Sequence, residues 1–260
     1  MIDAYEGRSS ASLLVILKED SMSYPSPYEA PRKIELDYAT DERTVFNFFN
    51  TVYAWMCAGL AITATTAYLV SQNPSMVRSM QGSGISVLIL LGSVAIVFAI
   101  RHVALKVSAI AATALFMVYA ALIGAVLSGI FVVYNLQTIG GAFAITAGMF
   151  GAMSLYGFVT KRDLTRMGSY LFMAVIGLFI ATLVNIFLAS SMLYWIINYV
   201  GVLVFTLLTA YDTQKLKEIA HATQGDSHSA AKYAILGALS LYLDFLNMFM
   251  FILRILGDRK

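Results

Sequence analysis

From Thr44 onward the chain alternates long apolar stretches with short polar connections, and the length of the stretches decides what they are. A helix crossing a bilayer needs about 20 mostly apolar residues, because about 30 Å of hydrocarbon is covered at 1.5 Å per residue. Seven stretches satisfy this, over roughly 45–70, 84–100, 108–134, 139–160, 168–189, 193–213 and 231–256. Pro74 falls in the first connection, SQNPSMVRSMQGSG, and Pro25, Pro27 and Pro31 precede the first stretch, so no span contains a proline. The third stretch is long enough to tilt or kink. The expected fold class is an all-α membrane protein with seven transmembrane helices.

Composition agrees with the pattern: 59% of residues are hydrophobic, only 12% are charged, and mean hydropathy is +0.76, against about 25% charged in ordinary soluble domains. The basic residues are scattered through short connections, which excludes a nucleic-acid-binding stripe. Residues 1–44 differ in kind, being rich in charge and proline, and read as a flexible polar tail ahead of a transmembrane domain over 45–257. The apolar run SASLLVIL within the tail is too short for a signal peptide. Lys and Arg are enriched in cytoplasmic loops; with the N-terminus inside, 13 of the 17 fall on that side, so the tail is expected in the cytoplasm. The lone Cys57 permits no intrachain disulfide.

Close packing of helices in lipid relies on small residues that let backbones approach. The fourth span offers Ala144 with Gly148 and Ala147 with Gly151, and is therefore expected inside the bundle. In the seventh span, Tyr233, Gly237, Ser240, Asp244, Asn247 and Arg254 recur at helical spacing and form one polar stripe. A stripe that long cannot face lipid, since a charge at the bilayer centre costs about 2.5–3.5 kcal/mol on insertion scales. The last helix is thus expected to be central, wrapped by the others.

Two intramembrane carboxyls stand out, Asp244 and, at the inner end of the sixth span, Asp212. Each also has a plainer reading. Asp212 has Lys215 as a helical neighbour, and Asp244 could serve only to hydrogen-bond between helices. If the two meet, like charges in a poorly hydrated site cannot both ionise, and the pair shares one proton. Loss of that proton separates the carboxylates and attracts a cation. Calcium takes six to eight oxygens, so Asp212 and Asp244, supported by Ser240, Asn247 and water, would make only a weak, transient metal site of the sort that suits permeation. Spacing alone does not bring them together: Asp244 lies several turns deeper unless the sixth helix runs on past Lys215 or the seventh begins late.

The segments LTAYDTQKLK (Leu208 to Lys217) and ALSLYLDFLNMFMFILRILG (Ala238 to Gly257) resemble the transmembrane Bax inhibitor motif family, particularly its bacterial members. Tyr156 to Leu188 is similar to the same family, and the likeness covers roughly 45–257. It implies seven helices around a central last one, a bacterial inner-membrane location, and a pH-sensitive calcium leak whose paired aspartates map onto Asp212 and Asp244. It also implies possible partners: eukaryotic members are associated with suppression of cell death, and some bacterial ones with a membrane-bound ATP-dependent protease. Members can carry a second-helix glutamate and a nearby arginine; here Ser93 stands where the glutamate is expected, and Arg101 is the candidate arginine.

The main alternative is a regulator that transports nothing and binds other membrane proteins or a protease, with the aspartates as a structural clasp. An intramembrane aspartyl protease is disfavoured because the second aspartate follows LYL rather than a glycine-leucine-glycine motif. His102, His221 and His228 fall in loops or at interfaces without metalloenzyme spacing. The expectation is a protein that is not an enzyme, holds no tight cofactor, and meets the lipid bilayer and calcium or other cations.

Overall fold

The computed structural model describes the backbone of residues 30–81 and 108–257, with side chains over 42–78 and 108–257. The expected second span, and with it Ser93 and Arg101, lies outside the described residues. Contacts divide the chain into Met1–Arg43 and the compact unit Thr44–Lys260.

Every regular element described is a helix: α1 (Ala30–Ser71), α2 (Pro74–Gln81), α3 (Ala109–Leu127), α4 (Ile130–Val133), α5 (Leu136–Val159), α6 (Thr165–Leu188), α7 (Ser191–Ala222) and α8 (Ser227–Leu256). Among the described residues six are long and apolar enough to span a bilayer, the first of them over Glu42–Ser71. The bounds follow local chemistry. Pro74 opens α2, where its missing N–H costs nothing, and Asn73 Oδ1 accepts from Ser75 N at 3.2 Å. Ser108 caps α3, its Oγ accepting from Ala111 N at 3.3 Å. The third stretch is not one helix: α3 stops at Leu127, Ser128 Oγ donates to Ala125 O at 2.7 Å, and the single turn α4 follows. Between α6 and α7, Ala189 adopts a left-handed φ of 48°, and Asn185 Oδ1 accepts from Ser190 N at 3.0 Å to close the turn. Gly225, at φ 83°, supplies the left-handed turn from α7 into α8.

The last helix is central, as its polar stripe requires. It packs against α3, α5 and α7, and 67% of its apolar window is buried, against 11% for α6. The small residues of α5 correct the sequence expectation. Ala144, Ala147, Gly148 and Gly151 are exposed, and a Cβ on either glycine would meet nothing. The packed face is instead Ala142, Thr146, Phe150, Ser154 and Gly157. The helix is rotated so that Thr146 and Ser154 are buried, and close approach happens at Gly157, where a Cβ would fall 2.2 Å from Ala210 O of α7.

Candidate functional site

The two aspartates come from the antiparallel pair α7 and α8, whose register is set by contacts along its whole length. Gly201 accommodates the Phe251 ring, Gly237 accommodates Leu216, and Thr206 Oγ1 lies 3.9 Å from Met248 Sδ. Between these anchors Ser240 Oγ donates to Asp212 Oδ2 at 2.7 Å. Asp244 follows Ser240 on the same face of α8, one turn or about 6 Å further from the α7–α8 turn. The register sets it beside the turn of α7 that precedes Asp212. α7 runs on to Ala222, well past Lys215, the first of the two helix extents that the sequence left open for bringing Asp212 alongside the stripe.

The two carboxyls have different surroundings. Asp244 is buried, 5% exposed, among the side chains of the bundle. Asp212 is half-buried and lines a cleft of about 300 Å³ together with Lys215, Ile219, Tyr233, Leu236 and Ser240. One acid therefore borders a space large enough for several waters, and the other lies one turn beyond its end. Asn247 is placed differently from expectation in one respect: its Nδ2 donates to Leu243 O at 2.8 Å, back into its own helix. Lys215 extends over the Tyr211 ring at 5.9 Å. Among the described residues no group of three or more His, Cys, Asp and Glu converges.

Around this pair runs a set of buried hydroxyls that the stripe argument overlooked. Tyr53 of α1 hydrogen-bonds Ser154 of α5, and Ser154 Oγ lies 3.0 Å from Thr213 Oγ1 of α7, beside Asp212 in sequence. On the other side, Thr63 of α1 pairs with the Tyr242 hydroxyl at 2.6 Å and donates to Ala120 O of α3 at 2.9 Å. Tyr242 is fully buried and packed edge-on against Phe116 at 5.3 Å. Each tie joins neighbouring helices through hydroxyls, which a medium without water leaves to find their partners within the protein. The available signal was adjacency: Thr213 follows Asp212, and Tyr242 precedes Asp244 by two.

The sequence profile of the family described as inhibitor of apoptosis-promoting Bax1 matches residues 45–260. The chain belongs to this family. Among Bax1-inhibitor relatives, the inner membrane protein YbhL of Escherichia coli K12 is 46% identical over 211 residues, covering 80% of this chain and 90% of the relative. An uncharacterized protein of Borreliella burgdorferi is 41% identical over 229 residues, 87% of this chain and 99% of its own. One from Deinococcus radiodurans is 44% identical over 215 residues, with 83% and 92% covered. The resemblance read from the sequence is thus borne out over the transmembrane domain. With six span-length helices among the described residues and an inner-membrane relative this similar, the chain is a multi-pass protein of the bacterial inner membrane.

Proposed function

We propose that this Bax1-inhibitor family member is a pH-sensitive cation leak that passes calcium and is gated by Asp212 and Asp244. One observation carries the reading: the Ser240 to Asp212 hydrogen bond at 2.7 Å brings Asp212 onto the stripe of α8 one turn from buried Asp244. Two carboxyls about one turn apart, one of them buried, hold one proton between them more easily than two negative charges. With the proton in place α7 and α8 stay closed. When it leaves, repulsion loosens the pair, and the cleft at Asp212 delivers water and a cation to two acids that bind it weakly enough to release it. Ser240 acts as the bridge, Asn247 lines the stripe beyond, and Arg101 is the cation expected to pair with an ionised acid. No step is enzymatic, and the N-terminal segment is on the cytoplasmic side.

The test is calcium flux into liposomes containing the purified protein. Flux is expected to be faster at neutral than at mildly acidic pH, and Asp212→Asn or Asp244→Asn to remove that difference. Fluxes equal to those of empty liposomes at every pH would instead favour a regulator that binds other membrane proteins. Asp244→Leu separates the roles further: a clasp loses stability, whereas a permeation site keeps its fold and loses its pH response.

A further inference from the structure

We propose that the α5–α6 turn and the adjoining face of α7 form a binding site for the headgroup of an anionic phospholipid. The turn is built by α7. Gln214 Nε2 donates to Arg162 O at 2.7 Å, and Gln214 Oε1 accepts from Leu164 N at 2.8 Å, so one amide clamps the turn at two points. Lys217 Nζ donates to Phe158 O at 2.9 Å, satisfying one of the orphan carbonyls that end α5. Tyr211 seals the corner, its ring filling the space left by Gly168 of α6.

The clamp gathers cations whose own charged ends it leaves outward. Lys161, Arg162 and Arg166 are exposed on the turn and first turn of α6, and Lys215 is exposed where it crosses Tyr211. Asp163, Glu218 and, sharing a cleft with Lys215, Asp212 are the nearby acids, against the cations of Lys161, Arg162, Arg166, Lys215 and Lys217. Asp163 is engaged locally, accepting from Thr165 N at 2.8 Å, and hydrogen bonding from the Thr165 side chain first and its backbone second, helped by Arg166, holds its carboxyl below the usual range. The local balance is positive.

Directly against this cluster begins the most lipid-like surface of the bundle. Tyr156 and Val159 on α5 and Tyr170 and Met173 on α6 are exposed, Tyr170 by 74%, and only 11% of the apolar window of α6 is buried. Exposed tyrosines mark the headgroup level of membrane proteins. Cations therefore stand where a phosphate would lie, with an apolar wall beside them for its acyl chains. A free phosphate ion would use the cations and not the wall; a phospholipid uses both.

The site is read independently of ion flux by native mass spectrometry of the protein in neutral detergent, titrated with phosphatidylglycerol or phosphatidylcholine. Phosphatidylglycerol is expected to bind in preference, and the double variant Arg162→Gln/Arg166→Gln to bind it about 25-fold more weakly, about fivefold for each cation near a headgroup surface. Gln214→Met changes no charge yet is expected to weaken binding by releasing the turn, whereas Arg254→Gln, at the opposite end of α8, leaves it unchanged. Equal binding of the two lipids, or full phosphatidylglycerol binding by the double variant or by Gln214→Met, would overturn the proposal. Displacement of the lipid by millimolar inorganic phosphate would also do so, by showing that the wall contributes nothing.

Discussion

α6 and α8 are both long enough to cross a bilayer, and the more apolar of the two is the one the protein leaves uncovered. In α8, which carries Asp244, Asn247 and Arg254, 67% of the apolar window is buried; in α6, which has Arg166 at its first turn and no charged residue beyond it, the share is 11%. In water the order would be reversed. Lipid tails solvate Leu and Phe as well as another helix does, so apolarity gives no reason to go inside. What cannot face lipid is an unmet polar group, and α8 has several. Polarity therefore selects the central helix, and the same helix supplies the groups that can bind a proton or an ion.

The comparison breaks most sharply if a charge is moved from one helix to the other. Ile180, half-exposed in the outer face of α6, replaced by Asp is expected to cost about 3 kcal/mol of insertion, seen as loss of membrane-integrated protein. α8 already contains such a charge and inserts. A smaller effect is expected from packing. Gly157→Ala puts a methyl 2.2 Å from the Ala210 carbonyl and should destabilise the bundle by about 1–3 kcal/mol in detergent unfolding. Gly148→Ala and Gly151→Ala, on the exposed face of the same helix, should be neutral or better, since Ala is the stronger helix former.

These glycines show where sequence reading succeeds and where it fails. The α8 stripe was legible because five polar side chains and a glycine at helical spacing have one satisfactory direction to face. The small pairs of α5 were not, because a glycine is equally content against lipid or against a helix, and only the buried hydroxyls Thr146 and Ser154 decide the rotation. The meeting of Asp212 with the stripe was half legible. It depended on how far α7 continues beyond Lys215, and the polar run LKEIAHA gives no signal for membrane depth. The length of the third stretch announced a tilt or kink but not its place, because Ser128 and Gly129 lie inside an otherwise continuous apolar run.

Removal of a single interhelical hydroxyl should matter less again. Tyr242→Phe deletes the bond to Thr63 while keeping the ring against Phe116. Interhelical hydrogen bonds of this kind contribute about 0.6 kcal/mol on average, so the unfolding midpoint should fall slightly without loss of assembly. A fall as large as that from Gly157→Ala would mean that α1 is held mainly through this hydroxyl.

The smallest effect separates two kinds of carboxylate by pH. Asp226 caps α8, its side chain accepting from His228 N and Ser229 N at 3.1 Å each, and hydrogen bonding from the Ser229 side chain first, then from these two backbone groups, lowers its proton affinity below the ordinary aspartate value. A group whose folded-state pKa is depressed contributes stability that is complete above its unfolded pKa, about 3.9, and is lost as pH falls through the folded value. The cap is therefore intact at neutral and mildly acidic pH alike and fails only in strong acid. Asp226→Asn keeps a cap that cannot titrate, so it should remove a step in thermal stability below about pH 4 and leave any response between mild acid and neutrality untouched. If Asp226→Asn also abolished the pH dependence of calcium flux, the switch would lie at the α7–α8 turn, and the buried pair in the bundle would be its clasp.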